Sequence, residues 1–184
     1  MISDLKEQIA KEFLSDSNDF LLRYEILKER SLSGQKGLRS KLLVDLLFAA
    51  ECSLKSLIFL LSIEDVNAIY KKICTHDLDK LLNKLPIEEN KNCCKFLEEN
   101  FRKYKIENRY SMEVYKTFQG ILDEKYYNTI ASPEWFSNMY SNLKDMNEYI
   151  STKIKIPYEE SVFSEIDVDE LEKNHIERIN FSKK

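Results

Sequence analysis

Apolar residues recur at helical spacing through the first third of the chain. Leu42, Leu46, Ala49, Ala50, Leu54, Leu57, Ile58 and Leu61 fall on one stripe. Leu43, Leu47, Phe48 and Phe59 widen it, which implies packing on more than one side. The pattern predicts a long apolar helix over about Leu38–Ser62, in the middle of a bundle. Ahead of it the spacing predicts an amphipathic helix over Ser3–Leu14 and a second over Asn18–Arg30. Ser15-Asp16-Ser17-Asn18, a run of capping side chains, separates the two. Ser31–Gly37, with two glycines, reads as a loop.

Beyond the apolar stripe the elements are shorter. A helical piece is expected over about Asp65–Cys74. Thr75 is placed to cap a helix over His76–Leu85, which Pro86 ends. Asn90–Lys105 reads as a helix with Phe96, Leu97 and Phe101 inward. Glu107–Leu122 reads as another, apolar at Met112, Tyr115, Phe118 and Leu122 and broken near Gly120. Ser132-Pro133-Glu134 is a helix start: a serine cap, a proline at the first position, an acid in the first turn. That helix continues through Trp135, Met139, Leu143, Met146 and Ile150. From Ile154 the pattern turns extended, and Asp169–Ile179 is expected to form a short terminal helix carrying His175 and Arg178.

Composition narrows the class. Only three glycines and three prolines occur in 184 residues, too few for the closely spaced turns of an all-β protein. The expectation is an all-α chain: one up-and-down helical bundle domain over residues 1–157, then an acidic C-terminal extension over 158–184. The extension holds eight acidic and four basic side chains, which accounts for the whole net charge of −4 and leaves the bundle neutral. A neutral body is not the footprint of a protein that grips duplex nucleic acid by its phosphates. The extension reads either as a solvated appendage or as an acidic cover for a basic groove on a neighbour.

Location and redox state follow similarly. Asp45, Glu51 and Lys55 interrupt the apolar stripe, at a cost near 2.5–3.5 kcal/mol for a charge such as Asp or Lys at mid-bilayer, so a membrane span is not expected. Met1-Ile2-Ser3-Asp4 lacks a basic export region, so a cytoplasmic location is expected. Cys52, Cys74, Cys93 and Cys94 lack metal-ligand spacing. They are expected to be reduced thiols, Cys52 as core filler, with no metal and no cofactor.

Few polar residues on these segments could carry chemistry. Glu51 sits in the apolar helix, with Lys55 four residues on as its plain partner. A buried Glu51 would need a stronger one, His76 or Arg109, because an unpaired internal carboxylate is very costly. His76, in Thr75-His76-Asp77-Leu78, titrates near neutrality and can donate from one ring nitrogen while accepting on the other. The plain alternative is that Thr75 and His76 only cap a helix. Tyr104, Tyr110, Tyr115, Phe118, Tyr126 and Tyr127 read as a base-stacking surface or, at helical spacing, as core. No glycine-rich phosphate loop and no hydrolase signature occurs.

The order of these features resembles the HEPN family of small helical bundles. An apolar helix with Ala49-Ala50-Glu51 comes first, then Thr75-His76-Asp77-Leu78, then Glu107-Asn108-Arg109-Tyr110. The likeness runs from about Ser40 to Tyr115, inside a core over about 38–122. It implies a polar cleft of Glu51, His76, Asp77, Arg109, Tyr110 and Tyr115, and a homodimer with the central and Arg109-bearing helices near its two-fold axis. It also implies a role beside a nucleotidyltransferase-type or other defence partner, in a toxin–antitoxin or phage-defence system, with a nucleotide or RNA as ligand.

Ribonuclease members carry a histidine after the arginine, with four to six intervening residues. Here Val114, Tyr115 and Lys116 occupy those positions, and no arginine precedes His76 or His175 at that distance. Tyr115, a phenol of ordinary pKa about 10, is a poor base at neutral pH. The chain is therefore expected to bind rather than cut, with no catalytic residues assigned. Two rivals stand: a divergent metal-free ribonuclease using Arg109, His76 and Tyr115, and a structural all-α interaction subunit.

Overall fold

The computed structural model describes residues 2–32, 38–86, 95–101, 104 and 124–155, and their regular elements are helices, with no strand among them. The expected helix over Glu107–Leu122, its Arg109, Tyr110 and Tyr115, the loop residues 33–37, Cys93 and Cys94, and the acidic extension lie outside the described residues. Helix α1 (Ile2–Leu32) runs unbroken for 31 residues. Its buried positions Ala10, Leu14, Ser17, Leu21 and Tyr24 step by four and three along the chain, and Ser31 follows seven residues on. Such a seam lets one helix lie along another for its full length.

The break expected at Ser15–Asn18 does not occur. The capping side chains there are used across helices instead. Ser17 is fully buried and its hydroxyl donates to the Ala49 carbonyl at 3.0 Å. An interior serine satisfied in this way has no reason to end its own helix.

Helix α2 (Arg39–Leu61) is flanked by Leu38 and by Ser62, whose backbone N–H donates to the Ile58 carbonyl. Seventeen of its 23 residues are buried, so it meets neighbours on every side. Cross-helix bonds set its direction. Lys6 Nζ reaches the Ser62 carbonyl at 3.2 Å, Ser56 Oγ the Ala10 carbonyl at 2.7 Å, and Arg23 the Asp45 carboxylate at 3.0 Å. Helix α2 is therefore antiparallel to α1.

Among the described residues four short helices follow: α3 (Val66–Ile73), α4 (Leu78–Leu82), α5 (Lys95–Asn100) and α6 (Glu124–Asn128). Asp65 caps α3 by accepting from the Ala68 N–H at 3.0 Å. Helix α4 is shorter than the expected His76–Leu85, and Asp77 rather than Thr75 caps it, accepting from the Lys80 N–H at 3.2 Å. Thr75 acts one step earlier, its hydroxyl accepting from the Asp77 N–H at 3.1 Å.

Helix α7 (Pro133–Lys153) begins as its sequence implies, with the Ser132 hydroxyl accepting from the Trp135 N–H at 3.1 Å. Its buried face is Trp135, Phe136, Met139, Leu143, Met146, Asn147 and Ile150. Tyr24 stacks on Tyr140 at 5.1 Å, and Asn147 bonds Ser17, so α7 also runs antiparallel to α1 and parallel to α2.

These three long helices share a polar knot. Asn147 Nδ2 donates to Ser17 Oγ at 2.9 Å and to Asn18 Oδ1 at 2.8 Å, while Ser53 Oγ donates back to Asn147 Oδ1. At the N-terminal end of α7, Trp135 packs against Phe101 and Tyr104, its indole N–H donating to Asn100 Oδ1 at 3.2 Å. Of the aromatic series, Tyr104 and Tyr126 belong to the core and Tyr127 is half exposed. None of the described helices is long and apolar enough to cross a membrane.

Candidate functional site

Glu51 lies mid-way along α2 and is only 5% exposed. It has two cationic or hydrogen-bearing partners. Lys55 Nζ, one turn on, stands 2.7 Å from Oε1, and His76 Nδ1 stands 3.0 Å from both carboxylate oxygens. The sequence left Lys55 and His76 as competing partners; the fold uses both. The Lys55 side chain is itself largely buried, with its ammonium 5.8 Å from the centre of the Phe13 ring. The carboxylate is thus compensated from within its own helix before any other element reaches it.

His76 arrives from the link between α3 and α4. The Thr75 N–H donates to the Ile73 carbonyl at 2.7 Å, which turns the chain at the end of α3. Leu78, Leu81 and Leu82 of α4 are buried and anchor the other side. The link is fixed at both ends, and the imidazole spans back to α2. An ionised carboxylate only accepts, so the hydrogen between the pair belongs to Nδ1. The remaining nitrogen, Nε2, carries its lone pair on the opposite edge of a ring whose side chain is 66% exposed. Among the described residues Nε2 has no hydrogen-bond partner.

Asp77 is next to His76 but does a different task. One oxygen caps α4, and the other stands 3.7 Å from Lys80 Nζ. Of the six residues expected in the cleft, Glu51 and His76 meet, Asp77 flanks them, and Arg109, Tyr110 and Tyr115 fall outside the described residues. No group of three or more metal-ligating side chains forms among the described residues.

The thiols divide by burial. Cys52, beside Glu51 in sequence, is buried, and desolvation first, then the Glu51 and Asp16 charges, push its thiol up to about 12. It is a protonated filler at neutral pH, whereas Cys74 is exposed.

A cleft of about 560 Å³ lies further along α2, lined by Lys6, Phe59, Leu61, Ser62, Lys153 and Lys155 among others. Of the expected site residues that are described, Glu51, His76 and Asp77, none lines it. Lys6 bonds the last carbonyl of α2, and Lys153 sits in the final turn of α7. Cations at helix C-termini complement the carbonyl ends. Lys6 and Lys153 thus answer the carbonyl ends of two helices.

One buried acid was not singled out by its sequence context. Asp45 is 1% exposed, its Oδ1 paired at 3.0 Å with the exposed Arg23 and its Oδ2 without a partner. Arg23 in turn lies over Phe20, which stacks on Phe48 at 4.9 Å. Burial raises the Asp45 carboxyl above its ordinary value, partly opposed by Arg23 and Lys41. A raised folded-state pKa means that the protonated form is favoured on folding. Its contribution is complete at low pH and is lost as pH rises through the raised value. Asp45→Asn is accordingly expected to be more stable than the wild type at pH 7, by about 1 kcal/mol. The difference should shrink as the buffer is acidified toward the ordinary carboxylate range. Urea melts at several pH values check this, and a variant destabilised equally at all of them would refute it.

No family model matches this chain, and no curated protein or solved structure matches it either.

Proposed function

We propose that this chain is a HEPN-like helical binding module whose His76 edge engages the phosphate of a nucleotide or RNA. Its place would be in a toxin–antitoxin or phage-defence system, as a homodimer built around a long apolar central helix. The observation that carries the reading is the buried Glu51 carboxylate holding the His76 imidazole at an exposed rim. A fold that only needed a helix cap already has one in Asp77, and would not bury a charge to orient the His76 ring. The order of apolar helix, His-Asp-Leu segment and Arg-Tyr segment supports the family likeness, and the missing second histidine supports binding over cutting.

Ring resonances of His76, followed while adenosine monophosphate or a short single-stranded RNA is added, test this. Saturable shifts, with the binding heat of the same ligand lost in His76→Ala, support it; unmoved resonances at millimolar ligand overturn it. The ribonuclease rival draws support from the same tautomer, since an outward Nε2 lone pair is a base in waiting. RNA cleavage with chelator present, lost in Arg109→Ala, would decide for that rival.

A further inference from the structure

We infer that His76 is a phosphoryl acceptor, nucleophilic at Nε2, for small donors with a good leaving group such as acyl phosphates and phosphoramidates. The inference rests on the geometry of the pair and stands apart from the binding reading above. A free imidazole exchanges its proton between two nitrogens, so either can attack. Here Nδ1 is committed to Glu51 at 3.0 Å, and the lone pair is confined to Nε2 on the exposed edge. As attack proceeds, positive charge grows on the ring. A buried, fixed carboxylate behind Nδ1 is aimed at that charge and needs no rearrangement to meet it. Lys55 keeps the carboxylate compensated when the ring is neutral, so the arrangement exists before the donor arrives. Asp77, the acid nearest in sequence, has Lys80 Nζ 3.7 Å away, which tempers its repulsion of an incoming anion.

The step balances without a further reactant. The Nε2 lone pair forms the N–P bond while the P–O bond of an acyl phosphate breaks. Its electron pair departs with the carboxylate. With a phosphoramidate, whose nitrogen already carries three hydrogens in its zwitterionic form near neutral pH, the P–N bond breaks and its electron pair departs with ammonia. The hydrogen on Nδ1 stays there, bonded to Glu51, and the imidazolium charge is met by that carboxylate.

The experiment incubates the full chain with phosphoramidate at neutral pH. It reads intact mass for one added phosphoryl group and phosphorus–proton NMR for the nitrogen that bears it. The expected product is an acid-labile adduct at His76, at Nε2 alone, absent in His76→Ala. Glu51 acts as a positioning residue. Glu51→Gln, with its helical circular dichroism and cooperative melt shown to be unchanged, should slow labelling about tenfold and let the product spread over both ring nitrogens. No adduct, an adduct confined to His175 or to lysines, or an equal mixture of isomers on wild-type His76 would overturn the proposal. The isomer ratio in the wild type keeps it testable if Glu51→Gln fails to fold.

Discussion

Replacing Glu51 with alanine is expected to lower the unfolding free energy by about 3–5 kcal/mol, the usual cost of removing one partner from a buried ion pair. The Lys55 ammonium would then be left against the Phe13 ring with no carboxylate, on a side chain only 13% exposed. His76 would lose its one described hydrogen bond, and the α3–α4 link would lose its polar tie to α2. For a domain of this size the change corresponds to a fall in Tm of roughly 10 °C. Exchanging both charges together, Glu51→Leu with Lys55→Leu, should recover most of the loss, since a matched apolar pair carries no desolvation cost. Urea denaturation of the two variants beside the wild type measures this. A single-variant loss under about 1 kcal/mol would mean that Lys55 swings out to water and that the pair is not effectively buried.

Asn147→Ala should have a comparable effect by a different route, about 2–4 kcal/mol. The amide joins α1, α2 and α7 at one point, donating to Ser17 and Asn18 and accepting from Ser53. Ser17 and Ser53 are both fully buried. Truncation leaves Ser17 Oγ and Asn18 Oδ1 without the amide donor, leaves the Ser53 hydroxyl only the Ala49 carbonyl of its own helix as an acceptor, and opens a gap against the core. Asn147→Ala combined with Ser17→Ala and Ser53→Ala should cost less than the sum of the three single changes, because the same hydrogen bonds are counted more than once. Additive losses would show that the knot does not act as a unit.

The parts of the fold that sequence made legible are those where local chemistry and tertiary packing agree. Ser132-Pro133-Glu134 states a helix start in its own side chains, and α7 begins there. The 3.6-residue stripe from Leu42 gives α2 within a residue at either end, because a helix buried on all sides has no competing environment to alter its bounds. Ser15–Asn18 misled for the opposite reason. A serine that caps and a serine that bonds another helix look identical in sequence, and the partner of Ser17 is 130 residues away. Asp77 displaced Thr75 as the cap of α4 because a carboxylate two residues on was in reach of the N–H of Lys80.

The site was legible in one half. Spacing identified Lys55 for Glu51, and the family likeness added His76 as a candidate, but neither could say that a single carboxylate holds both. The sequence shows Asp45 only as a charge interrupting the apolar stripe, because nothing near it in sequence advertises Arg23, which approaches from the neighbouring helix.

The knot at Ser17, Ser53 and Asn147 also bears on how the chain is made. Two of its members lie on helices close in sequence and the third near the other end, so during synthesis the first pair can form while the last third is still unmade. Until α7 arrives, two hydroxyls face a vacancy that water must fill. The hairpin of α1 and α2 should therefore assemble early and remain wet, and the late docking of α7 should be the step that dries the interior and commits the molecule.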